Sequence, residues 1–366
     1  MSRSIAVFLP NLIGDTIMAT PTLRAIRAGE PSARILAVVR PGVSPVLDGG
    51  PWFDDRILLD HRSPDPSRHA GAVADALRRE GVDLAVLLPN SFRSALVAWR
   101  SGASRRVGYA RGGRSLLLTD RLRPKRDRKG RFLPTPIVDT YLGIARHLGY
   151  PVDSLRTDLH TTADDERAAE ESLTALGIAQ GERFVCLNTG GAFGPAKAWP
   201  TDHFATLARR LTDEAGVAVV VLCGPAERDA ARAIVAGAAH PRVVSLADRP
   251  LGLGLSKACV RRSALLVTTD SGPRHFAPAF NVPALTLFGP TEIAWTRSYH
   301  PLALHILHPV DCGPCQQPTC PQGHHRCMRD LDPDSVYRAA IRLLGPSRRP
   351  SILVGPHASL PRSVER

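Results

Sequence analysis

The fold of this chain follows from residues 8–27, which read FLPNLIGDTIMATPTLRAIR. A short apolar strand leads into a loop containing Gly14 and Asp15, and a helix begins at once. This turn resembles a nucleotide-binding loop, but it lacks the repeated glycines that let a pyrophosphate approach the backbone. A carboxylate at the mouth of such a turn therefore indicates chemistry other than phosphate binding.

Apolar strands and helical segments alternate outward from this turn. In the first half, the pattern predicts strands at 5–9, 35–39 and 84–88 and helices at 19–28 and 70–80. Strands that are apolar throughout and separated by helices are typical of a parallel sheet covered on both faces. The first half is therefore predicted to be an α/β layer structure.

The second half repeats this architecture. Strands are predicted at 184–188, 217–222, 243–246, 265–268 and 284–288. Helices are predicted at 201–215, 227–237 and 273–280. The fold class is thus α/β, with two doubly wound, Rossmann-like domains facing each other across a cleft. We place the domains at 1–165 and 166–345, followed by a Pro- and Arg-rich tail at 346–366. Asp15 is expected at the cleft, where ligands of open α/β sheets usually bind.

Composition narrows the class of protein. Of 366 residues, 43% are apolar and 22% charged, which describes a soluble globular enzyme rather than a disordered or fibrous chain. No uninterrupted apolar stretch approaches the ~18 residues of a membrane span. The first residues are too briefly apolar for a signal peptide. We therefore expect a cytoplasmic protein that touches a membrane surface at most.

Positive charge is concentrated in one segment. Residues 100–132 hold twelve Lys and Arg against Asp120 and Asp127, so most of the net charge of +13 lies there. Such a field attracts an anionic partner. Few aromatic residues and no recognised motif argue against nucleic acid. An anionic lipid headgroup, a phosphorylated saccharide and a merely solvated basic loop all remain open.

Two glycine-containing loops at predicted strand ends carry candidate binding residues. In 188–200, NTGGAFGPAKAWP, backbone amides at Thr189, Gly190 and Gly191 and the cation of Lys197 suit a diphosphate, although a plain glycine-rich turn fits too. In 268–280, TTDSGPRHFAPAF, four residues at the start of a predicted helix suit an anion or a simple helix cap: Asp270, Ser271, Gly272 and His275.

Two more loops end neighbouring strands at the same edge. In 223–228, CGPAER, Glu227 is placed to accept hydrogen bonds from ribose hydroxyls, or to stabilise the first turn of a helix. In 288–296, FGPTEIAWT, Gly289, Pro290 and Thr291 lie at the strand end. Small and hydroxyl residues at adjacent strand ends favour a binding site.

Together these loops resemble glycosyltransferase family nine, the ADP-heptose:lipopolysaccharide heptosyltransferases. The matching stretches occur in the family's order up to about residue 331, and they are LPNLIGDTIMATPTLRAI, NTGGAFGPAKAWP, DSGPRHFAPAFNVPALTLFGPT and CGPCQQPTCPQGHHRCMRDL. The resemblance implies a GT-B fold, with an acceptor-binding first domain and a nucleotide-sugar-binding second domain. It also implies an inverting, metal-independent transfer of heptose from ADP-heptose to the inner core of lipopolysaccharide, without a cofactor.

The resemblance also implies roles for individual residues. Its catalytic base falls on Asp15, its donor-phosphate residues on Thr189 and Lys197, and its donor loop on Asp270, Ser271, Gly272 and His275. Glu227 matches the nucleotide-contacting acid loosely. The partners it implies are a nucleotide-sugar donor and an anionic glycolipid acceptor at the cytoplasmic face of the inner membrane. The alternatives are a GT-B transferase for another nucleotide sugar and a non-catalytic module that binds anionic ligands.

Cysteines are grouped near the end of the matched region. Cys312, Cys315, Cys320 and Cys327 begin with a C-x2-C pair, and His324 and His325 lie among them. Structural zinc, an iron–sulfur cluster, reduced packed thiols and redox-labile pairing remain open, since no second C-x2-C follows. The other three cysteines lie in or beside apolar segments and are predicted to fill the core: Cys186, Cys223 and Cys259.

Overall fold

The computed structural model describes residues 3–191 and 193–345 and, for its backbone, a strand at 352–354. The chain divides into two compact units. Unit 1 extends to His160 and also includes Ala294–Ser298, whereas unit 2 comprises Thr161–Ile293 and the chain from Tyr299 onward. None of the helices in these described ranges has the length and apolar character to span a bilayer.

Unit 1 contains a parallel sheet with the order β3-β2-β1-β4-β5-β6 in the described residues. Its strands are β1 (Ser4–Phe8), β2 (Arg34–Val39), β3 (Asp55–Leu58), β4 (Leu84–Leu87), β5 (Arg105–Tyr109) and β6 (Asp120–Leu122). Val7 pairs with Ala37 on one side and with Val86 on the other. The strand order reverses between β1 and β4, so the loop after β1 lies at the switch point where ligands of such sheets bind.

Helices cover the first sheet. They are α1 (Ile13–Met18), α2 (Thr20–Gly29), α3 (Ala70–Arg79), α4 (Phe92–Arg100) and α5 (Ile137–His147). In α2, Leu23 and Ile26 are buried three residues apart, as expected for the inner face of an amphipathic helix. Ala19 joins α1 directly to α2, so the chain turns within one residue of the helix that carries Asp15.

Unit 2 repeats this topology, with the order β13-β12-β11-β10-β7-β8-β9. The strands are β7 (Phe184–Asn188), β8 (Ala218–Leu222), β9 (Val243–Ser245), β10 (Leu265–Thr269), β11 (Ala284–Phe288), β12 (Ala303–Leu307) and β13 (Ile352–Val354). The order reverses between β7 and β10, which pair in parallel. Loops 188–200 and 268–280 thus begin at the switch point of this sheet. The predicted α/β class with two doubly wound domains is confirmed.

The helices of unit 2 begin with an acidic one. They are α6 (Ala163–Ala175), α7 (Thr201–Asp213), α8 (Arg228–Ala238), α9 (Leu253–Arg262), α10 (Phe276–Ala279), α11 (Arg326–Arg329) and α12 (Pro333–Leu344). Glu166 of α6 forms ion pairs with Arg261 and Arg262 of α9, and Asp165 lies 3.1 Å from buried Lys257. These ion pairs join α6 to α9 within unit 2, which begins at Thr161.

The structure differs from the sequence pattern in three further places. The basic segment contains β5 and β6, and 125–136 carries an antiparallel bridge between Arg126 and Phe132. The helix predicted at 273–280 is a 3-10 turn, Gly272–His275, followed by the single turn α10. The predicted tail at 346–366 lies outside the described residues except for β13, whose backbone pairs with β12.

Candidate active site

Asp15 lies in the first turn of α1, directly after the strand-to-helix loop of unit 1. The neighbouring Thr16 is fully buried, and its hydroxyl donates to the carbonyl of Pro10 at 3.2 Å. This bond closes the loop, because it ties the first turn of the helix to the end of β1. The Asp15 carboxylate is thereby held, half-buried, at the switch point of the sheet.

No cation compensates the charge of Asp15 in the described residues, since none of them forms an ion pair or hydrogen bond with this carboxylate. Burial therefore raises the pKa of Asp15 to about 6. Tyr141 of α5 lies close by, and its own burial, followed by the charge of Asp15, raises the pKa of its phenol. An unpartnered carboxylate with this proton affinity is suited to accept a proton near neutral pH.

A hollow of about 310 Å³ opens in unit 1 beside the ends of β4, β5 and β6. Cationic side chains line it, together with a single carboxylate, that of Asp139: Arg111, Arg123, Lys125 and Arg146. Within the described residues, these four cations form no salt bridge with a carboxylate. The ring of Phe132 also lines the hollow, between the guanidinium groups of Arg111 at 4.0 Å and Arg126 at 4.1 Å. The hollow is suited to an anionic ligand.

In unit 2, the amide of Asn188 joins the two loops at the switch point. Its Nδ2 donates to Thr268 Oγ1 at 3.1 Å, to Ser271 Oγ at 2.9 Å and to the carbonyl of Gly190 at 3.2 Å. All four groups lie at the ends of β7 and β10, which are adjacent in the sheet. Asn188 therefore fixes the predicted phosphate loop relative to the predicted donor loop.

Asp270 is the centre of a buried ionic network. Lys197 Nζ donates to its carboxylate at 2.7 Å and to its carbonyl at 2.8 Å, and Thr291 Oγ1 donates to the carboxylate at 2.6 Å. Arg274 Nε lies 3.4 Å from the other carboxylate oxygen. Burial opposes ionisation of Asp270, but Arg274 and Lys197 outweigh it and lower its pKa to about 2. Two cations around one carboxylate leave a net positive charge for a ligand.

His275 does not reach the surface of this network. It is 3% exposed, and its Nε2 accepts a hydrogen bond from Arg274 Nε at 3.2 Å. Burial, and then the adjacent charge of Arg274, lower the pKa of His275 well below its usual value, so the imidazole is neutral at physiological pH. His275 supports Arg274 through this hydrogen bond, and its predicted role in donor binding stays a prediction.

Glu227 packs against the phosphate loop. Its carboxylate accepts the backbone N–H of Gly224 at 2.5 Å, and a Cβ at Gly190 would lie 1.9 Å from Oε1 of Glu227. A side chain at 190 would therefore have to displace the Glu227 carboxylate from this position. The hydroxyl of Thr189, next in the same loop, is buried and has no hydrogen-bond partner among the described residues.

The cysteine-rich segment, residues 312–327, holds the phosphate loop from one side. The backbone N–H of Ala196 donates to the carbonyl of Pro318 at 3.0 Å, and His325 Nε2 donates to the carbonyl of Ala196 at 2.7 Å. The cysteine-rich segment thus binds both the N–H and the carbonyl of Ala196, the residue before Lys197. The N–H of Gln316 also donates to the carbonyl of Pro290 at 2.8 Å.

The four thiols of this segment are neighbours. Burial, followed by the charges of Cys312, Cys315 and Cys320, raises the pKa of Cys327 to about 11. Within the described ranges, no three or more His, Cys, Asp or Glu side chains are arranged to hold a metal ion. The prediction that the remaining cysteines fill the core is confirmed, because all three are buried: Cys186, Cys223 and Cys259.

Three residues of the unit 2 site were not singled out as ligands by sequence reasoning. They are Asn188, which joins the two loops through Ser271, and Arg274 and Thr291, which contact Asp270. Sequence reasoning noted Thr291 only for its position at a strand end. Arg274 and Thr291 lie within the quoted loops, so their position at strand ends was the available signal. Their pairing with Asp270 depends on strand order, which a linear motif does not specify.

Two doubly wound units with polar loops at their switch points are the architecture of the GT-B class of folds. The solved structure titled E. coli ADP-heptose lps heptosyltransferase II shares this fold, with a TM-score of 0.74, 26% identity and coverage of 94% of this chain and 98% of that one. The model of Glycosyltransferase family 9 (heptosyltransferase) matches residues 70–325, more than half of the chain. The chain therefore belongs to glycosyltransferase family 9, and the resemblance drawn from the motifs is confirmed.

Relatives match this chain along nearly its whole length. Lipopolysaccharide heptosyltransferase 2 of Escherichia coli is 27% identical over 355 residues, which cover 93% of this chain and 98% of the relative. Lipooligosaccharide heptosyltransferase 2 of Campylobacter jejuni is 24% identical over 345 residues, with the same two coverages. The similarity thus includes both units.

Proposed function

We propose that this enzyme transfers heptose from ADP-heptose to the inner core of lipopolysaccharide, with inversion at the anomeric carbon. Asp15 takes the proton of the acceptor hydroxyl as the hydroxyl oxygen bonds to that carbon. The bond from the anomeric carbon to the phosphate oxygen breaks, and ADP leaves with the electron pair. Relatives named heptosyltransferase 2 and the solved ADP-heptose transferase support this choice of donor and acceptor.

The observation that carries the mechanism is the state of Asp15. Its carboxylate has no cation partner among the described residues, and burial raises its pKa to about 6. A simple ligand-binding carboxylate is ordinarily neutralised by a cation or by hydrogen bonds, as Asp270 is. An unneutralised carboxylate at a switch point is better suited to general base catalysis.

Unit 2 is the proposed binding site of the nucleotide sugar. The ammonium of Lys197 has three N–H donors, and two of them go to Asp270, while Nζ also lies 4.4 Å from the ring centre of Phe193. A phosphate oxygen would take the third donor. The buried hydroxyl of Thr189 supports the same role, because a phosphate oxygen would satisfy it. Gly190, Ser271 and Gly272 contribute backbone donors, and Glu227 binds the ribose. Positive charge here stabilises the departing ADP without a metal or another cofactor.

Unit 1 is the proposed acceptor domain. The basic hollow around Phe132 suits the anionic groups of a phosphorylated, lipid-linked saccharide. Such an acceptor is held in a membrane, so we propose that the enzyme works at the cytoplasmic face of the inner membrane in peripheral contact with it. Nucleic acid is not a partner in this proposal.

A transfer assay with a panel of nucleotide sugars tests the proposal. The purified enzyme is incubated with inner-core acceptor and ADP-heptose, ADP-glucose, UDP-glucose or GDP-mannose, with and without EDTA, and products are identified by mass spectrometry. We expect transfer from ADP-heptose alone, unaffected by EDTA. Preference for another donor would establish a different GT-B transferase. No transfer from any donor, with ligand binding intact, would establish a binding module.

A further inference from the structure

We propose that unit 1 docks on an anionic lipid bilayer through an apolar stripe on α4 formed by Phe92, Leu96 and Trp99, the α4 stripe. This inference rests on the proposed function, because a lipid-linked acceptor would lie at such a surface. It names the part of the molecule that makes the contact, which the proposed function leaves open.

The α4 stripe faces outward. Its three residues are spaced by four and three positions, which places them along one face of a helix. Phe92 and Trp99 are 51% and 53% exposed, and Leu96 is half-buried. The opposite face of α4 is buried through Ser94, Ala95, Val97 and Ala98. The helix is thus anchored by its small residues while its largest apolar side chains remain in solvent.

Exposed apolar side chains are concentrated in this unit. Leu116 is 87% exposed in a 3-10 turn, Arg114–Leu117, that contacts α4. Of the six strongly exposed large apolar residues in the described chain, unit 2 contributes Phe193, and unit 1 contributes Leu12, Phe92, Trp99, Leu116 and Leu133. Because the turn carrying Leu116 contacts α4, Leu116 extends the exposed apolar surface of the α4 stripe.

The charged residues of α4 itself are cationic. Between Asp83 and Asp120 the sequence contains no Asp or Glu and six arginines, of which Arg114 is fully buried and Arg105 pairs with Asp120. Arg93 and Arg100 are exposed and adjoin Phe92 and Trp99. Aromatic rings next to exposed cations match the interface of an anionic bilayer, where the rings enter the headgroup region and the cations attract phosphate.

The α4 stripe adjoins the basic hollow. Asn90, two residues before the start of α4, lines the hollow, and so does Arg111, which precedes the turn carrying Leu116. Leu133 also lines the hollow and is 42% exposed. A lipid-linked saccharide bound in the hollow would therefore have its apolar anchor beside this apolar surface.

Cosedimentation with lipid vesicles tests the proposal. Full-length protein is mixed with vesicles of phosphatidylcholine alone or with added phosphatidylglycerol. We expect binding to the anionic vesicles only, and the triple variant Phe92→Ser, Trp99→Ser, Leu116→Ser should bind at least about tenfold more weakly. The matched control, Phe193→Ser, removes an exposed aromatic residue of unit 2 and should bind as the parent protein does.

A conservative variant provides a second measurement. Brominated lipids should quench the tryptophan fluorescence of the parent protein, and this quenching should decrease in Trp99→Phe, which retains an apolar ring. Equal vesicle binding by the parent and the triple variant, or quenching that does not depend on Trp99, would overturn the proposal. The proposal would also be overturned if the parent protein bound no vesicles and the triple variant self-associated more weakly than the parent. The surface would then join copies of this chain.

Transfer to an acyl-free acceptor saccharide separates this inference from the proposed function. The triple variant should transfer heptose to this water-soluble acceptor at the parental rate. If the parent enzyme transfers heptose but does not bind vesicles, the membrane surface is wrong and the function stands. If it binds vesicles through Trp99 but transfers no heptose to either acceptor, the function is wrong.

Discussion

At the scale of single residues, Asp15 combines a chemical advantage with a cost in stability. Its carboxylate is half-buried without a cation partner, so the folded protein binds its proton more tightly than an unfolded chain does. Asp270 represents the opposite case, because two cations and a hydroxyl keep it ionised. Two aspartates at equivalent switch points thus differ in proton affinity because of their neighbours.

Replacing Asp15 by Asn should abolish most turnover while leaving donor binding intact. Asparagine retains the size of the side chain but cannot take a proton, and losing a positioned base typically costs about 10²- to 10⁴-fold. Calorimetric titration with ADP and single-turnover transfer, on one protein preparation, measure the two effects. If the variant turns over at the parental rate, Asp15 is not the base. If the variant no longer binds ADP, Asp15 belongs to the donor site or is needed for the fold.

The pH dependence of this variant provides an independent check. Because the ionised carboxylate is the base, kcat/KM of the parent enzyme should fall about tenfold per pH unit below pH about 6, and the residual activity of Asp15→Asn should not. The free energy of unfolding changes with pH in the opposite direction to activity. Because the pKa of Asp15 is raised in the folded protein, ionisation of Asp15 destabilises the folded state, and this penalty grows as pH rises from about 4 through about 6. Asp15→Asn should therefore unfold at a higher temperature than the parent at pH 7 and at an equal one near pH 4.

Replacing Lys197 by Ala should raise the barrier to transfer by about 2.7 to 4 kcal/mol, the usual cost of one charge-stabilising donor. The parent and variant are compared by kcat, by donor affinity and by thermal unfolding. Thermal unfolding is needed because Asp270 would retain only Arg274 and Thr291 as partners. Unchanged turnover would remove Lys197 from the mechanism, and a loss confined to stability would assign it to the fold.

At the scale of elements, the cysteine-rich segment acts as a support for the phosphate loop. It binds both peptide groups of Ala196, the residue next to Lys197, and it approaches the loop after β11 through Gln316. The four thiols are the most distinctive feature of its sequence. Its contacts with the site, however, are made by backbone groups and by the imidazole of His325.

Shortening His325 to Ala should lower kcat/KM for the nucleotide sugar by about 2- to 13-fold, the equivalent of one hydrogen bond of about 0.5 to 1.5 kcal/mol. His325→Gln should restore most of this loss, since its amide nitrogen can replace Nε2 as a donor to Ala196. His324→Ala is the matched control, because His324 contacts Gln322 and Cys312 instead of the loop. Steady-state kinetics and ADP titration measure the effect. Equal losses in the 324 and 325 variants would indicate general damage to the segment.

Neutralising Arg123, Lys125, Arg126 and Arg128 together should weaken use of a phosphorylated glycolipid acceptor. Arg123 and Lys125 line the basic hollow, and exposed charges are screened over about 8 to 10 Å near physiological ionic strength. The difference from the parent enzyme should therefore shrink as salt is added. Activity on a short uncharged acceptor should barely change. Comparable losses on both acceptors would assign a structural role to these side chains.

Element prediction succeeded where apolar residues determine structure and failed where charge obscures the pattern. Strands β7 and β11 have the predicted bounds because every residue in them is apolar or buried. β5 begins with two arginines, and β6 has three residues, so neither shows the apolar run of a central strand. The predicted helix at 273–280 is split, and Pro273 and Pro278, which lack an N–H, lie within it.

At the scale of the whole molecule, the sequence sufficed for the two sheets, the loops at their switch points and the family. It did not indicate that Ala294–Ser298 belongs to unit 1, because no apolar pattern in these five loop residues reveals which unit they join. The place of Asp15 at a strand-to-helix turn was predictable from the sequence, whereas its lack of a cation partner among the described residues depends on which side chains the fold brings near. The buried position of His275 likewise depends on tertiary packing, which the spacing of residues in its loop does not reveal.

The assignment of Ala294–Ser298 to unit 1 has a consequence for the timing of synthesis. Trp295 lines the basic hollow, whereas the other lining residues end at Arg146. Ribosomes add about 5 to 20 residues per second, so about 150 further residues require about 7 to 30 s. The first sheet can form as the nascent chain emerges, but the wall contributed by Trp295 is missing until most of unit 2 has been translated. A truncated chain ending at residue 160 would therefore lack this wall permanently.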